Sequence, residues 1–383
     1  MLALEYTPSV ARHAAARVSR RAGEGGLTLR RMAPPRRPNA DWLAVRPRLS
    51  GICGSDQALF SGSASPYLGT LTSTPFVPGH EIVGEIAGGE QRGERVVVEP
   101  ALSCVVRGVE PECPECAEGL PALCRNTAHG AVSAGLQIGY CRDTGGGWSE
   151  GLVAHRSQLH AVPVELADED AVLVEPLACA LHAAGEAAPG PGDAVGVIGA
   201  GTIGLLCVAA LRELAPDAVV LCAAKHPAQA HAARRLGADH TCRPEQLQIE
   251  AARLTGARRL VGHLGRELLL GGLDCVLDCV GSGSSVEAAV TVTRPRGTVV
   301  LVGMPGQVRA DLSLAWQREL ELRGAYGYRG DFPAAIDLAG RLRPGRLVAD
   351  GWHLRDHSRA LEHAPRAARS GTVKTVFDLR SER

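Results

Sequence analysis

The chain reads as an α/β protein in which a doubly wound parallel sheet is joined to a second, mainly β domain. Three observations predict this. An apolar strand runs into a glycine-rich turn at 194–204, strand and helix patterns alternate after it, and the stretch before it carries short strands, turns and clustered cysteines. Alternating strands and helices build parallel sheets, whereas short strands bounded by Pro and Gly build antiparallel ones.

The first observation is Ala194-Val195-Gly196-Val197-Ile198 followed by Gly199-Ala200-Gly201-Thr202-Ile203-Gly204. Gly199 lets the chain reverse, Gly201 lets backbone approach a pyrophosphate, and Gly204 lets the helix lie close to the strand. The helix that opens at Thr202 and Ile203 offers free N–H groups and a partial positive charge to phosphate. Glycine turns after strands are common, so the assignment depends on the elements beyond the turn. A second strand over Ala218–Ala223, a helix over Ala228–Leu236, and strands Leu273–Asp278 and Gly297–Val302 supply that context. A carboxylate at the end of the second strand would bind the ribose 2′-OH of NAD. None is there. Ala224-Lys225-His226 offers room and two basic groups for a 2′-phosphate, which favours NADP over NAD; the plainer reading of Lys225 is a solvated charge.

Composition limits the partners. The 383 residues carry 41 basic and 41 acidic side chains for zero net charge, so no long-range field draws the chain to nucleic acid or an anionic membrane. No apolar run is long enough to span a bilayer. Arg12, Arg17, Arg20 and Arg21 near the start lack the apolar block of a signal peptide, and a cytoplasmic protein is expected. Twelve cysteines, several clustered, fit metal ligation in a reducing compartment better than a disulfide framework.

Taken in order, Leu2–Tyr6, Leu27–Arg30, Trp42–Arg46, Ile82–Ile86 and Arg95–Val98 read as strands of a domain with little helix. Within it, Gly51-Ile52-Cys53-Gly54-Ser55-Asp56 and Pro78-Gly79-His80-Glu81 place a thiolate and an imidazole in polar, glycine-flanked turns, a setting that suits tetrahedral zinc. From Glu99 to Asn126 runs a lobe with Cys113-x-x-Cys116 and Cys124, a signature of structural zinc closed by four ligands. Even spacing would put the first ligand at Glu110; Cys104, reaching across a longer loop, is preferred. A helix opening at Ala167-Asp168-Glu169-Asp170 carries Glu175-Pro176-Leu177, and a carboxylate amid Leu173, Val174 and Leu177 calls for a cation. The tail holds helices near Pro333–Leu342 and Ser358–Ala368 and a last strand Val373–Phe377, which would rejoin the first domain.

These motifs, in this order, resemble the zinc-dependent medium-chain alcohol dehydrogenases over essentially the whole chain. Glu175-Pro176-Leu177 looks most like the polyol, threonine and sugar dehydrogenase branch, where glutamate replaces a cysteine of typical alcohol dehydrogenases. The resemblance implies a GroES-like catalytic domain over 1–180, with the zinc lobe at 99–126. It implies a Rossmann NAD(P) domain over 181–324 and a return to the catalytic domain over 325–383. Cys53 and His80 would bind catalytic zinc, with Glu81 and Glu175 competing for the third position. Asp56 would orient His80, and Ser55 would hydrogen-bond the substrate oxygen and pass on its proton. One departure concerns that proton: the relay histidine expected five residues after the zinc cysteine is Ala58 here.

The expected reaction is reversible oxidation of a primary or secondary alcohol to a carbonyl, with hydride passing to nicotinamide across a domain cleft. The lean toward polyols, sugars or cyclitols rests on the resemblance. A zinc-free enone or quinone reductase would lack the Cys-His-Glu set, and a non-catalytic redox sensor would have no use for Ser55. A homodimer or homotetramer is expected, with the sheet edge near Val299–Val302 as a contact.

Overall fold

The computed structural model describes residues 1–9, 26–263, 265–303, 306–369 and 371–380, so the arginines at 12, 17, 20 and 21 lie outside the described residues. Two compact units emerge. One comprises Met1–Ala178, Arg329–Ala367 and Thr372–Arg383, the other Cys179–Tyr328 and Ala368–Gly371.

In the first unit, β1 (Leu2–Tyr6) pairs antiparallel with β2 (Leu27–Arg31), and every residue of β1 is buried. The main sheet is antiparallel: β3 (Trp42–Gly51), β4 (Ile82–Ile86), β5 (Arg95–Val98), β6 (Leu152–His155) and β7 (Leu159–Ala161). One edge of β3 carries β4. Its other edge is shared, Trp42 to Val45 pairing with β6 and Leu49 to Gly51 with the C-terminal strand Val376–Asp378. Trp42, Val45, Ile82, Ile86, Val96 and Leu152 make one core; Leu4, Tyr6, Phe60, Trp148 and Phe377 make another. Each such large side chain contributes about 1.5–3 kcal/mol on burial. With scarcely any aromatics to use, the chain concentrates them here: Trp148 lies 5.0 Å from Phe377 and 5.6 Å from Phe60, ring to ring.

The second unit holds a six-stranded parallel sheet. In chain order its strands are β8 (Ala194–Ile198), β9 (Val219–Ala223) and β10 (His240–Cys242); then, beyond an antiparallel hairpin of β11 (Arg258–Val261) and β12 (Glu267–Leu270), β13 (Leu273–Asp278), β14 (Thr293–Leu301) and β15 (Glu321–Gly324). Their spatial order is β10-β9-β8-β13-β14-β15, which is 3-2-1-4-5-6 in order of appearance, the doubly wound arrangement of dinucleotide-binding sheets. The topological switch falls between β8 and β13, beside the glycine turn.

Four details differ from the expectations raised by the sequence. The β-leaning start contains a helix, Gly54–Ser61, and Ser55 and Asp56 stand on it. The helix expected from Ala167 through Glu175 is broken into Asp168–Ala171 and Val174–Ala187. Asp168, Glu169 and Asp170 stand in the first turn of the shorter helix, where Asp168 also pairs with Arg48 at 2.8 Å and Asp170 accepts from the Gly345 amide at 2.6 Å. The hairpin β11–β12 gives no strand signal in the sequence, because all four residues of β11 are exposed and show no alternation. Finally, β14 is no edge. Val299 to Leu301 pair with β15, whose four residues are exposed, so the edge lies at Glu321–Gly324.

Candidate active site and metal centres

Cys53 is the N-cap of the helix Gly54–Ser61, and its amide donates to Asp56 Oδ2 at 2.9 Å. That bond fixes the first turn, which carries Ser55 and Asp56. His80 and Glu81 follow the turn at Gly79 and lead into β4, so sheet pairing sets their position. His80 Nδ1 lies 3.8 Å from Asp56 Oδ1, which leaves Nε2 for a ligand. Cys53 Sγ, a His80 ring nitrogen and a Glu81 oxygen all fall within 4.8 Å of one another. His80 Nδ1, Asp56 Oδ1 and Ser55 Oγ are buried and without hydrogen-bond partners in the structure.

The field at this site favours positive charge. Burial opposes protonation of His80, but Asp56, Cys53 and Glu175 outweigh it and hold its pKa well above the ordinary imidazole value. Burial pushes the Asp56 carboxyl up, against His80 and the Cys53 amide. Glu175, 8% exposed, stands in the first turn of the helix Val174–Ala187 and acts on both His80 and Lys374. A thiolate, an imidazole and buried carboxylates are the donors zinc takes when one position stays open for substrate, so the residues fit that metal.

Lys374 is the residue at this site that the sequence motifs do not reveal, although it is one of only two lysines in an arginine-rich chain. Its Nζ lies 2.6 and 2.5 Å from the two oxygens of Glu81 and donates to the Ile52 carbonyl at 3.3 Å. At 2% exposure it is buried; burial opposes its charge, Glu81 and Cys53 outweigh that, and its pKa is raised. Gly51 makes room for the pair, since a Cβ there would sit 1.8 Å from Glu81 Oε2.

The second centre gathers the sulfurs of Cys104, Cys113, Cys116 and Cys124, again within 4.8 Å of one another. Cys104 opens the short helix Cys104–Arg107, Cys113 caps the helix Pro114–Ala117 that carries Cys116, and Cys124 ends the 3₁₀ turn Pro121–Leu123. Glu110 is exposed in the intervening loop and stands outside the cluster. Cys104 Sγ lies 3.6 Å from Cys124 Sγ and accepts from the Cys113 amide at 3.3 Å and the Asn126 side chain at 3.2 Å. Burial would raise its pKa, but these donors bring it down to about 7, while burial leaves Cys124 pushed up to about 11. Four sulfurs gathered in this way fit a closed tetrahedral zinc.

In the second unit, Gly199 has φ +92° and its amide bonds Ala223 O at 3.0 Å. Gly201 caps the helix Thr202–Leu214, and a Cβ on it would meet open space. A Cβ on Gly204 would sit 1.9 Å from Gly199 O. Ala224 is buried at the end of β9; Lys225 is exposed beside it, and His226 caps the helix Pro227–Arg235.

Residues 39–164 match the alcohol dehydrogenase GroES-like domain and residues 202–341 the zinc-binding dehydrogenase domain. The protein named "Probable D-xylulose reductase A" from Arthroderma otae is 31% identical over 333 residues, covering 84% of this chain and 86% of its own. The chain belongs to the zinc-type medium-chain alcohol dehydrogenases. A sorbitol dehydrogenase of Bacillus subtilis is 26% identical over 339 residues, covering 85% of this chain and 87% of its own, and the dehydrogenase falls in the polyol branch. An alcohol dehydrogenase of E. coli CFT073 complexed with NADH shares the fold at TM-score 0.74 and 24% identity, over 99% of each chain. The dehydrogenase is therefore an oxidoreductase of the zinc- and nicotinamide-dependent kind. Among its described residues no helix is long and apolar enough to cross a membrane.

Proposed function

We propose that this dehydrogenase reversibly oxidises a polyol, sugar or cyclitol-like alcohol, with NADP preferred to NAD and with zinc at both centres. The observation that carries the reading is the cluster of Cys53, His80 and Glu81 beside a buried, unpartnered Ser55 hydroxyl. Zinc would supply a Lewis acid to the substrate hydroxyl, and a nicotinamide would supply the hydride acceptor. The chain's own residues do the rest. Cys53 and His80 would hold the metal, with His80 Nδ1 turned toward Asp56. Asp56 takes the Cys53 amide on Oδ2 and faces His80 Nδ1 with Oδ1, holding the loop and the ring in register. Glu81 stands in that cluster and Glu175 outside it, but both oxygens of Glu81 are engaged by Lys374, which favours Glu175 in the competition for the third protein position. Ser55 Oγ accepts the proton of the substrate hydroxyl. Ala58 offers no imidazole to carry it further, so water or a cofactor hydroxyl takes it on.

Lys225 and His226, with no acid at the end of β9, support NADP. The polyol relatives support the substrate class. Twelve free thiols support a cytoplasmic setting, and the exposed strand β15 supports self-association. The test is zinc per chain and turnover with NADP and NAD on the purified enzyme and on Cys53→Ser. Two zincs falling to one, with loss of oxidation of polyols, is expected; one zinc in both proteins with turnover intact overturns the reading.

A further inference from the structure

Arg107 closes the short helix that Cys104 opens, and it is 1% exposed. Its guanidinium donates only to neutral carbonyls. Nε reaches Leu102 O at 2.9 Å, Nη1 reaches His129 O and Val132 O at 3.0 Å each, and Nη2 reaches Gly135 O at 2.6 Å. Both Nη atoms also contact Ser133 O, at 3.3 and 3.4 Å. Among the described residues no carboxylate pairs with it. Asp143, the acid whose charge reaches it, is instead bonded to the Ser133 amide at 2.6 Å. Buried charges are ordinarily paired, because carbonyl dipoles satisfy hydrogen bonds without cancelling charge. Cys104 stands three residues before Arg107 on the same helical turn and belongs to the four-sulfur cluster; burial weighs against the Arg107 charge and lowers its pKa, opposed by Cys141, Cys124 and Cys104 ahead of Asp143.

Four thiolates around one divalent ion carry a net charge of minus two. We propose that Arg107 is the buried counter-cation of the cysteine centre, offsetting that charge while its fan of carbonyl bonds ties the segment 129–135 to the helix bearing Cys104. This rests on the reading that the cluster holds zinc. Metal and arginine then stabilise each other, and removing either leaves a buried charge uncompensated. Arg107 is a positioning residue for the metal centre and touches neither substrate nor cofactor.

The test compares the zinc-loaded full chain with Arg107→Met, which removes the charge at similar length, and Arg107→Lys, which keeps it. Transfer of zinc to a chromophoric chelator is followed against pH, with Cys116→Ser identifying the signal of the cysteine centre. In Arg107→Met the pH of half-release is expected to rise by about one unit, with release at fixed pH about tenfold faster, while Arg107→Lys stays near the parent and the Cys53 centre keeps its zinc in both. If the parent enzyme shows no signal that Cys116→Ser removes, the zinc reading of the lobe fails and the proposal with it. If the parent holds that zinc and Arg107→Met releases it like the parent, the proposal alone is overturned. Should Arg107→Met not fold, Arg107→Lys decides: zinc retained as in the parent supports the counter-charge, and zinc lost overturns it in favour of packing.

Discussion

Both oxygens of Glu81 are held by a lysine more than 290 positions away, and at the scale of single residues this pairing matters most for the site. Removing one member of a buried pair leaves the other charge stranded, at a cost of roughly 3–5 kcal/mol. Lys374→Met is therefore expected to lower the unfolding free energy by that order, which urea titration reads directly; a change under about 1 kcal/mol would mean Glu81 finds another partner. The two glutamates separate by metal content. Glu175→Gln is expected to weaken zinc binding at the Cys53 centre, whereas Glu81→Gln, which leaves Lys374 unpaired, acts mainly on stability. Ser55→Ala is expected to lower kcat about 10²- to 10⁴-fold with zinc content unchanged, as loss of a positioned proton acceptor does. Unchanged kcat in that variant would move the proton path elsewhere.

At the scale of elements, the glycine turn and the strand after it separate cofactor binding from cofactor choice. A methyl at Gly204 meets the Gly199 carbonyl at 1.9 Å, and that contact is backbone, so the helix must move away from β8. Gly204→Ala is expected to weaken both NADP and NAD severalfold in a fluorescence titration, with zinc content intact. Lys225→Ala, on an exposed side chain just past the strand end, is expected to weaken NADP selectively, and equal loss for both cofactors would assign Lys225 no role in the choice. The cysteine lobe is likewise an element-level construction. Three short turns present four sulfurs, and the N–H donors of Cys113 and Asn126 are aimed at them before any metal arrives.

At the scale of the whole molecule, the first unit is stitched across long sequence separations by ion pairs. Arg46 and Arg48 flank Glu85, Arg48 also reaches Asp168, and Arg380 joins Asp378 to Glu169. Arg46 and Arg48 hold the Glu85 carboxyl below its usual range; burial would raise Asp378, but Arg380 outweighs it and lowers that pKa too. Because both folded-state values lie below the unfolded ones, their contribution is fully present above about pH 4.5 and is lost as pH falls through the depressed values. Melting temperature is expected to drop steeply between about pH 4.5 and pH 3, and Arg48→Met with Arg380→Met should make that drop shallower. An unchanged slope would place the acid sensitivity in other carboxylates.

The sequence by itself determined much of what depends on local chemistry. Gly199 to Gly204 after an apolar strand, Cys113-x-x-Cys116, and Cys53 and His80 in polar turns could be read because spacing along the chain sets what a short segment can do. The alternation of strands and helices likewise determined the parallel sheet. Tertiary structure decided what depends on partners distant in the chain. It put Cys104 rather than Glu110 with the other three sulfurs, paired Lys374 with Glu81, buried Arg107 among carbonyls and covered β14 with β15. It also broke the helix after Asp168–Ala171 and brought to Asp168, in the first turn of that helix, an arginine 120 positions away. Such pairings are set by burial and by charges brought together on folding, and no local pattern carries them.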